Sequence, residues 1–166
     1  MSENLLTQTL TSLSDAGVDF VVCGGVACIL QGVARATHDL DIRVVLDDVN
    51  LPRLIGVARA LGLRPRIPEP IDNLADPARR RVWIEEKHAL VYTLLTASGA
   101  FAVDIFLAYP IPYEELLARA DTFTVAGRSI KASSKRDLIA AKQAVTPPRV
   151  KDLRDIQDLR ELLDAE

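Results

Sequence analysis

The sequence predicts an α/β (α+β) protein, a small mixed β-sheet flanked by helices with further helices in its C-terminal part. Three observations predict it. Short β-branched and apolar runs alternate with stretches of helical periodicity over the first two-thirds of the chain. Glycine pairs and prolines punctuate the boundaries between them. From about residue 133 onward only helical patterns remain.

Taken in order, residues 3–16 carry Leu5, Leu6, Leu10 and Leu13, a helical stripe closed by Ala16-Gly17. Residues 18–23 form an unbroken apolar run, as expected of a strand covered on both faces. Gly24-Gly25 ends it, and residues 26–33 read as a helix. Residues 39–46 are a second strand, and residues 50–61 a helix stopped at Gly62. Pro65, Pro68 and Pro70 mark a loop, after which residues 71–86 are predicted helical with Arg79, Arg80 and Arg81 exposed. Residues 89–95 and 101–109 read as strands around a turn at Ser98-Gly99. Residues 122–125 and 128–131 form a hairpin through Ala126-Gly127. Ser133 or Ser134 caps a helix running to about Val145, with Asp137 three residues after Ser134. Pro147-Pro148 is a hinge before a last helix over residues 150–163.

The 166 residues are expected to form one domain with a helical tail from about residue 133. About half of them are apolar, enough to build a core. A formal net charge of -3 excludes a general nucleic-acid binder. Between Arg128 and Lys151, however, seven cations face one acid, Asp137. Such a patch suits a polyphosphate, or simply the solvated face of two helices. Cys23 and Cys28 lie in the most apolar stretch without metal-ligand spacing and are expected as buried thiols of a reducing compartment. Met-Ser-Glu-Asn opens no signal peptide, and the apolar run over residues 20–30 is too short to span a bilayer. A cytoplasmic location with no membrane partner is expected.

The most informative residues are Asp39-Leu40-Asp41-Ile42. In a strand, alternate side chains share a face, so both carboxylates point one way while Leu40 and Ile42 enter the core. Carboxylates about 7 Å apart on one strand repel unless solvated or bridged by a cation. Asp104 interrupts the otherwise apolar residues 101–107, where an isolated carboxylate is costly to bury. It is either ion-paired at a strand end or, if its strand lies beside residues 39–46, part of a three-carboxylate cluster. Hard divalent cations, Mg²⁺ or Mn²⁺, are what such a cluster binds. At Gly24-Gly25 the missing Cβ atoms let a ligand approach the backbone, although an ordinary strand-to-helix turn has the same composition.

An apolar strand, Gly24-Gly25, thirteen residues, then Asp39-x-Asp41 in a strand and Asp104 in a later one resembles the nucleotidyltransferase superfamily built on the DNA polymerase β-like palm. Arg35-Ala36-Thr37-His38-Asp39-Leu40-Asp41 is similar to the Arg-x-Thr-x-Asp-x-Asp segment of its small bacterial members. The tail from Arg149 to Ile156, with Lys151-Asp152-x-x-Asp155, resembles stand-alone bacterial members, including abortive-infection type IV toxins of toxin–antitoxin pairs. Lincosamide and aminoglycoside nucleotidyltransferases share the pattern.

The resemblance implies a metal-dependent enzyme that moves a nucleoside monophosphate from a nucleoside triphosphate such as ATP to a hydroxyl acceptor. RNA such as tRNA, a protein or a small molecule such as an antibiotic could be that acceptor, and pyrophosphate is released. It implies that Gly24 and Gly25 contact the triphosphate, that Asp39 and Asp41 hold Mg²⁺ or Mn²⁺, and that Asp104 completes the metal site and helps deprotonate the acceptor. Arg35 either pairs with phosphate or caps a helix C-terminus, and Thr37 belongs to the same nucleotide-binding segment. Lys142 and Lys151 either meet phosphate or extend into solvent. The alternative is a non-catalytic nucleotide- or partner-binding module on the same fold. His38 and His88 have no partner visible in sequence, and Trp83 is read as packing.

Overall fold

The structure, a computed structural model, describes residues 2–166. The chain runs α1 (Ser2–Asp15), β1 (Phe20–Cys23), α2 (Gly24–Leu30), β2 (Asp39–Val44) and α3 (Asn50–Ala60). It continues through β3 (Arg64–Pro65), a 3₁₀ turn (Ile71–Ala75), α4 (Pro77–Glu85), β4 (Val91–Leu95) and β5 (Ala102–Phe106). Then follow α5 (Tyr113–Arg119), β6 (Asp121–Val125), β7 (Arg128–Ala132), α6 (Lys135–Gln143) and α7 (Val150–Asp164). The strands form one mixed sheet in the order β3-β4-β5-β2-β1-β7-β6. β1 and β2 are antiparallel, and β2 pairs in parallel with β5.

The sheet's apolar face explains its order. Leu40, Ile42 and Val44 of β2 are fully buried, as are Val22 of β1 and Ile105 of β5, and Leu10 and Leu13 of α1 close over them. Because strand side chains alternate, Asp39, Asp41 and Arg43 are left on the other face, as the sequence predicts. Cys23 and Cys28 are buried free thiols. Trp83 packs in the core, its ring 5.1 Å from that of Tyr92 and its Nε1 donating to Glu69. At the β6–β7 hairpin Ala126 and Gly127 both take positive φ, the geometry that matches strand twist in a two-residue turn. Ser134 caps α6 by accepting from the Asp137 N–H at 3.1 Å.

Three of the differences from the sequence expectation concern helices. The helix over 71–86 is broken at Asp76, whose carboxylate accepts from the Ala78 N–H and restarts the helix with Pro77 in its first turn. α2 begins at Gly24 and ends at Leu30, two residues earlier at its start than the glycine turn suggests. α5 follows Pro110 and Pro112 and carries Glu114 and Glu115 in its first turn, with Leu116 wholly buried. Proline followed by acids was the signal for it; its seven residues are too few for a clear period. Among the described residues no helix is long and apolar enough to cross a membrane.

Asn50 locks the β2–α3 corner. Its amide donates to the carbonyls of Asp19 and Val45 at 3.0 and 2.9 Å and accepts from the Asp19 N–H at 2.7 Å. The residue is 2% exposed, so water replaces none of these bonds. Asn50→Ala is expected to cost about 1–3 kcal/mol in urea unfolding, the penalty of stranding buried backbone groups.

Candidate functional site

Asp41 stands directly opposite Asp104 across the parallel β2–β5 ladder, with Asp39 opposite Ala102. Thr93 of β4 donates to Asp104 Oδ1 at 2.5 Å and so fixes that carboxylate on the shared face. Burial pushes the Asp41 carboxyl up to about 7, and the charge and hydrogen bond of Asp104 and the charge of Asp39 add to the effect. Lys142 acts in the opposite sense. Asp39 lies exposed at the open start of β2. The three aspartates therefore present a tight pair with a third carboxylate set apart. Among the described residues no three His, Cys, Asp or Glu side chains gather as a metal-ligating group.

Gly24 has φ of +59°, and a Cβ there would lie 1.9 Å from Asp41 Oδ2. Glycine is required on both counts. A Cβ on Gly25 would lie 3.1 Å from Thr37 Oγ1 and 3.2 Å from Arg35 Cζ. Thr37 in turn shares its hydroxyl with the backbone N–H and C=O of Asp39 at 3.4 and 3.3 Å. The glycine pair is thus packed against the segment that carries the carboxylates.

The cations are organised by two buried acids of α7. Asp155 Oδ2 receives Arg35 Nη1 at 2.5 Å and Lys142 Nζ at 2.9 Å. Asp152 pairs with Arg149 at 2.6 Å, with Lys142 Nζ 3.6 Å away. The two acidic side chains are 4% and 1% exposed, so these pairs are largely dehydrated. Burial works to raise the Asp152 carboxyl, but the Arg149 hydrogen bond and the charges of Arg149 and Lys142 outweigh it and hold it below its ordinary range. Arg35 therefore bonds α7 rather than the end of α2, and Lys142 faces inward rather than into solvent.

Most of these groups, though not Asp155, line one cavity of about 560 Å³. Gly24, Gly25, Arg35, Thr37, Asp39 and Asp41 meet there with Lys142 and Lys151. Asp104, beside Asp41 on the next strand, is not among the lining residues. Arg149 lines the cavity too, a site residue that the sequence offered only as part of the tail segment. The sequence reading also missed an apolar wall of Leu90, Phe106, Ala108, Tyr109 and Pro110, because it ran the strand on through residue 109 whereas β5 stops at Phe106.

The residues fit a hard divalent cation in chemistry. The donors are carboxylate oxygens, and the repulsion that raises Asp41 is what a bound cation or a proton relieves. Asp41 and Asp104 would hold it, with Asp39 in reach of the same face.

No protein-family model and no curated protein sequence matches this chain. Solved structures do match in fold. A solution structure of the antibiotic-resistance factor ANT(2'')-Ia aligns over 98% of this chain and 84% of its own with a TM-score of 0.61 and 16% identity. The same factor in complex with adenylyl-2''-tobramycin gives a TM-score of 0.63 at 16% identity, over 98% of this chain and 89% of its own. The lincosamide antibiotic adenylyltransferase LnuA, lincomycin-bound, aligns over 90% of both chains with a TM-score of 0.59 and 16% identity. This chain thus shares its fold with these proteins.

Proposed function

We propose that this chain transfers a nucleoside monophosphate from a nucleoside triphosphate to a hydroxyl acceptor, releasing pyrophosphate. The observation that supports this reading best is the register of β2 against β5. It sets Asp41 beside Asp104 at a cavity that Arg35, Lys142, Arg149 and Lys151 also line. Carboxylates for a cation and cations for a polyphosphate in one cavity are the complement of a metal-bound triphosphate. The nucleotidyltransferase fold of its structural neighbours is consistent with that chemistry.

In this reading Asp39, Asp41 and Asp104 hold Mg²⁺ or Mn²⁺, which when bound neutralises phosphate charge and acidifies the attacking hydroxyl. Arg35, Lys142, Arg149 and Lys151 neutralise the β- and γ-phosphates, and Gly24 and Gly25 let the phosphates approach the backbone. Thr37 holds the turn into β2. Asp104, oriented by Thr93, takes the proton from the acceptor hydroxyl. The acceptor oxygen forms the new bond to the α-phosphorus as the bond to pyrophosphate breaks.

A thermal-unfolding panel of ATP, GTP, CTP and UTP, each with and without Mg²⁺ or Mn²⁺, tests the reading. A triphosphate at 100 times its dissociation constant adds about 2.7 kcal/mol, equivalent to a rise of several degrees. Stabilisation that requires metal is expected, and Asp41→Asn is expected to remove it. No shift with any combination would refute nucleotide binding and leave a partner-binding module on this fold.

Without metal, Asp41 binds its proton more tightly folded than unfolded, because its carboxyl rises from 3.8 to about 7. The native state then holds the extra proton between those values, so stability falls as pH rises through the window. Asp41→Asn is expected to flatten that fall and to unfold at higher temperature than wild type at pH 8, by roughly 2–4 °C per kcal/mol regained. Thermal unfolding scans at pH 5 and pH 8 measure both. Gly24→Ala is expected to lose about 1–2 kcal/mol from its left-handed backbone alone and to lose metal-dependent triphosphate binding, since the new methyl displaces Asp41.

A further inference from the structure

Of the charged groups that α7 ties together, Arg35, Lys142, Arg149 and Asp152 line the cavity and Asp155 does not. The Asp155 side chain is 4% exposed, so whatever it does for a ligand it does through its partners. A single oxygen, Oδ2, accepts from Arg35 Nη1 at 2.5 Å and from Lys142 Nζ at 2.9 Å, so the two cations stand no farther apart than the sum of those distances. They are also the inner pair. The Arg35 and Lys142 side chains are 21% and 11% exposed, whereas that of Arg149 is 56% exposed and Lys151 lies open at the surface.

Arg35 is held from three directions. Its Nε donates to the Ala36 carbonyl at 3.3 Å and its Nη1 to Asp155. Its Cζ and Nη2 lie 3.2 Å from where a Cβ on Gly25 would stand. Nη2 has no acceptor among the described residues. The guanidinium therefore commits Nε and Nη1 to the protein and presents Nη2 beside the glycine pair. Without Asp155, two like charges this close repel, and a long side chain regains rotamer freedom that a ligand must then remove. Loss of the acid also makes the cavity more positive, which by itself attracts phosphate. The two effects have opposite signs. A guanidinium recognises phosphate through aimed N–H groups as much as through charge, so the loss of aim is expected to win.

We infer that Asp155 is a positioning residue for the triphosphate: by holding Arg35 Nη1 and Lys142 Nζ on one oxygen, it aims Arg35 Nη2 at a phosphate seated on the Gly24–Gly25 backbone and keeps Lys142 beside it. The inference rests on the nucleotidyl-transfer reading above and names the group that shapes its phosphate site. The carboxylate itself never touches phosphate.

Inorganic triphosphate with Mg²⁺ is the probe, since it requires no choice of base, and its binding to the full chain is followed by calorimetry. Wild type is expected to bind it saturably. Asp155→Asn, which keeps the shape and removes the charge, is expected to weaken binding at least fivefold despite the more positive cavity. Arg35→Lys, which keeps the charge but carries its donors on one nitrogen, is expected to weaken it by a similar factor. The double variant is expected to bind within about twofold of Asp155→Asn alone, because Arg35 has already lost its aim there; independent residues would multiply their losses. Unchanged or tighter binding by Asp155→Asn overturns the inference, since the acid would then be only a counter-charge, and so do multiplied losses in the double variant. If Asp155→Asn fails to fold, Arg35→Lys decides: the fivefold loss sustains the aimed Nη2, and binding equal to wild type overturns it. Failure of wild type to bind inorganic triphosphate also overturns the inference. If ATP, GTP, CTP and UTP with metal then give no thermal shift either, the nucleotidyl-transfer reading itself has failed.

Discussion

The parallel pairing of β2 with β5 is the constraint on which the candidate site depends. It brings two carboxylates from residues 63 positions apart in sequence, Asp41 and Asp104, into direct register on a half-buried face. Like charges at such a distance are tolerated only with a proton, a cation or strong hydrogen bonds. The surrounding residues supply part of that support. Thr93 donates to Asp104, Lys142 lends positive charge, and Gly24 removes the one methyl that would push Asp41 aside. Each of these features is unremarkable alone and has a purpose only beside the pair.

The same economy governs the cations. Arg35 comes from the loop before β2, Lys142 from α6 and Arg149 from the residue before α7, yet all three converge because Asp152 and Asp155 lie buried one helical turn apart on α7. Two buried carboxylates would be costly in isolation. Here they are offset by three positive groups, leaving the cluster with an excess of one positive charge beside the cavity. Removing a carboxylate would strand its cations; removing a cation would strand a carboxylate. The arrangement thus makes α7 part of the cavity wall rather than an appended tail.

Much of the fold was legible in sequence, for local reasons. The alternation of Asp39, Leu40, Asp41 and Ile42 gives a strand with one polar face whatever lies next to it, and Ser134 with Asp137 gives a capped helix start. What lies next to a strand is not local. That Asp104 stands beside Asp41 was available only through resemblance to a known spacing. The direction of Lys142 could not be read from the period of its own helix, because its partners Asp152 and Asp155 lie on another. The apolar wall escaped because Phe106 and Tyr109 suit a strand, while the chain in fact leaves the sheet after Phe106 and turns Ala108 to Pro110 into the cavity.

The bond between Arg35 and Asp155 spans 120 residues of chain. A ribosome releases those residues in order, so β1, α2 and β2 can pair long before α7 exists. Throughout that interval Arg35 lacks its anchoring carboxylate, and the cavity lacks a wall. A half-made chain can hold the carboxylate strands but cannot assemble the cation cluster that α7 anchors. The complete cavity therefore forms only after α7 has left the exit tunnel, a timing imposed by chain connectivity alone.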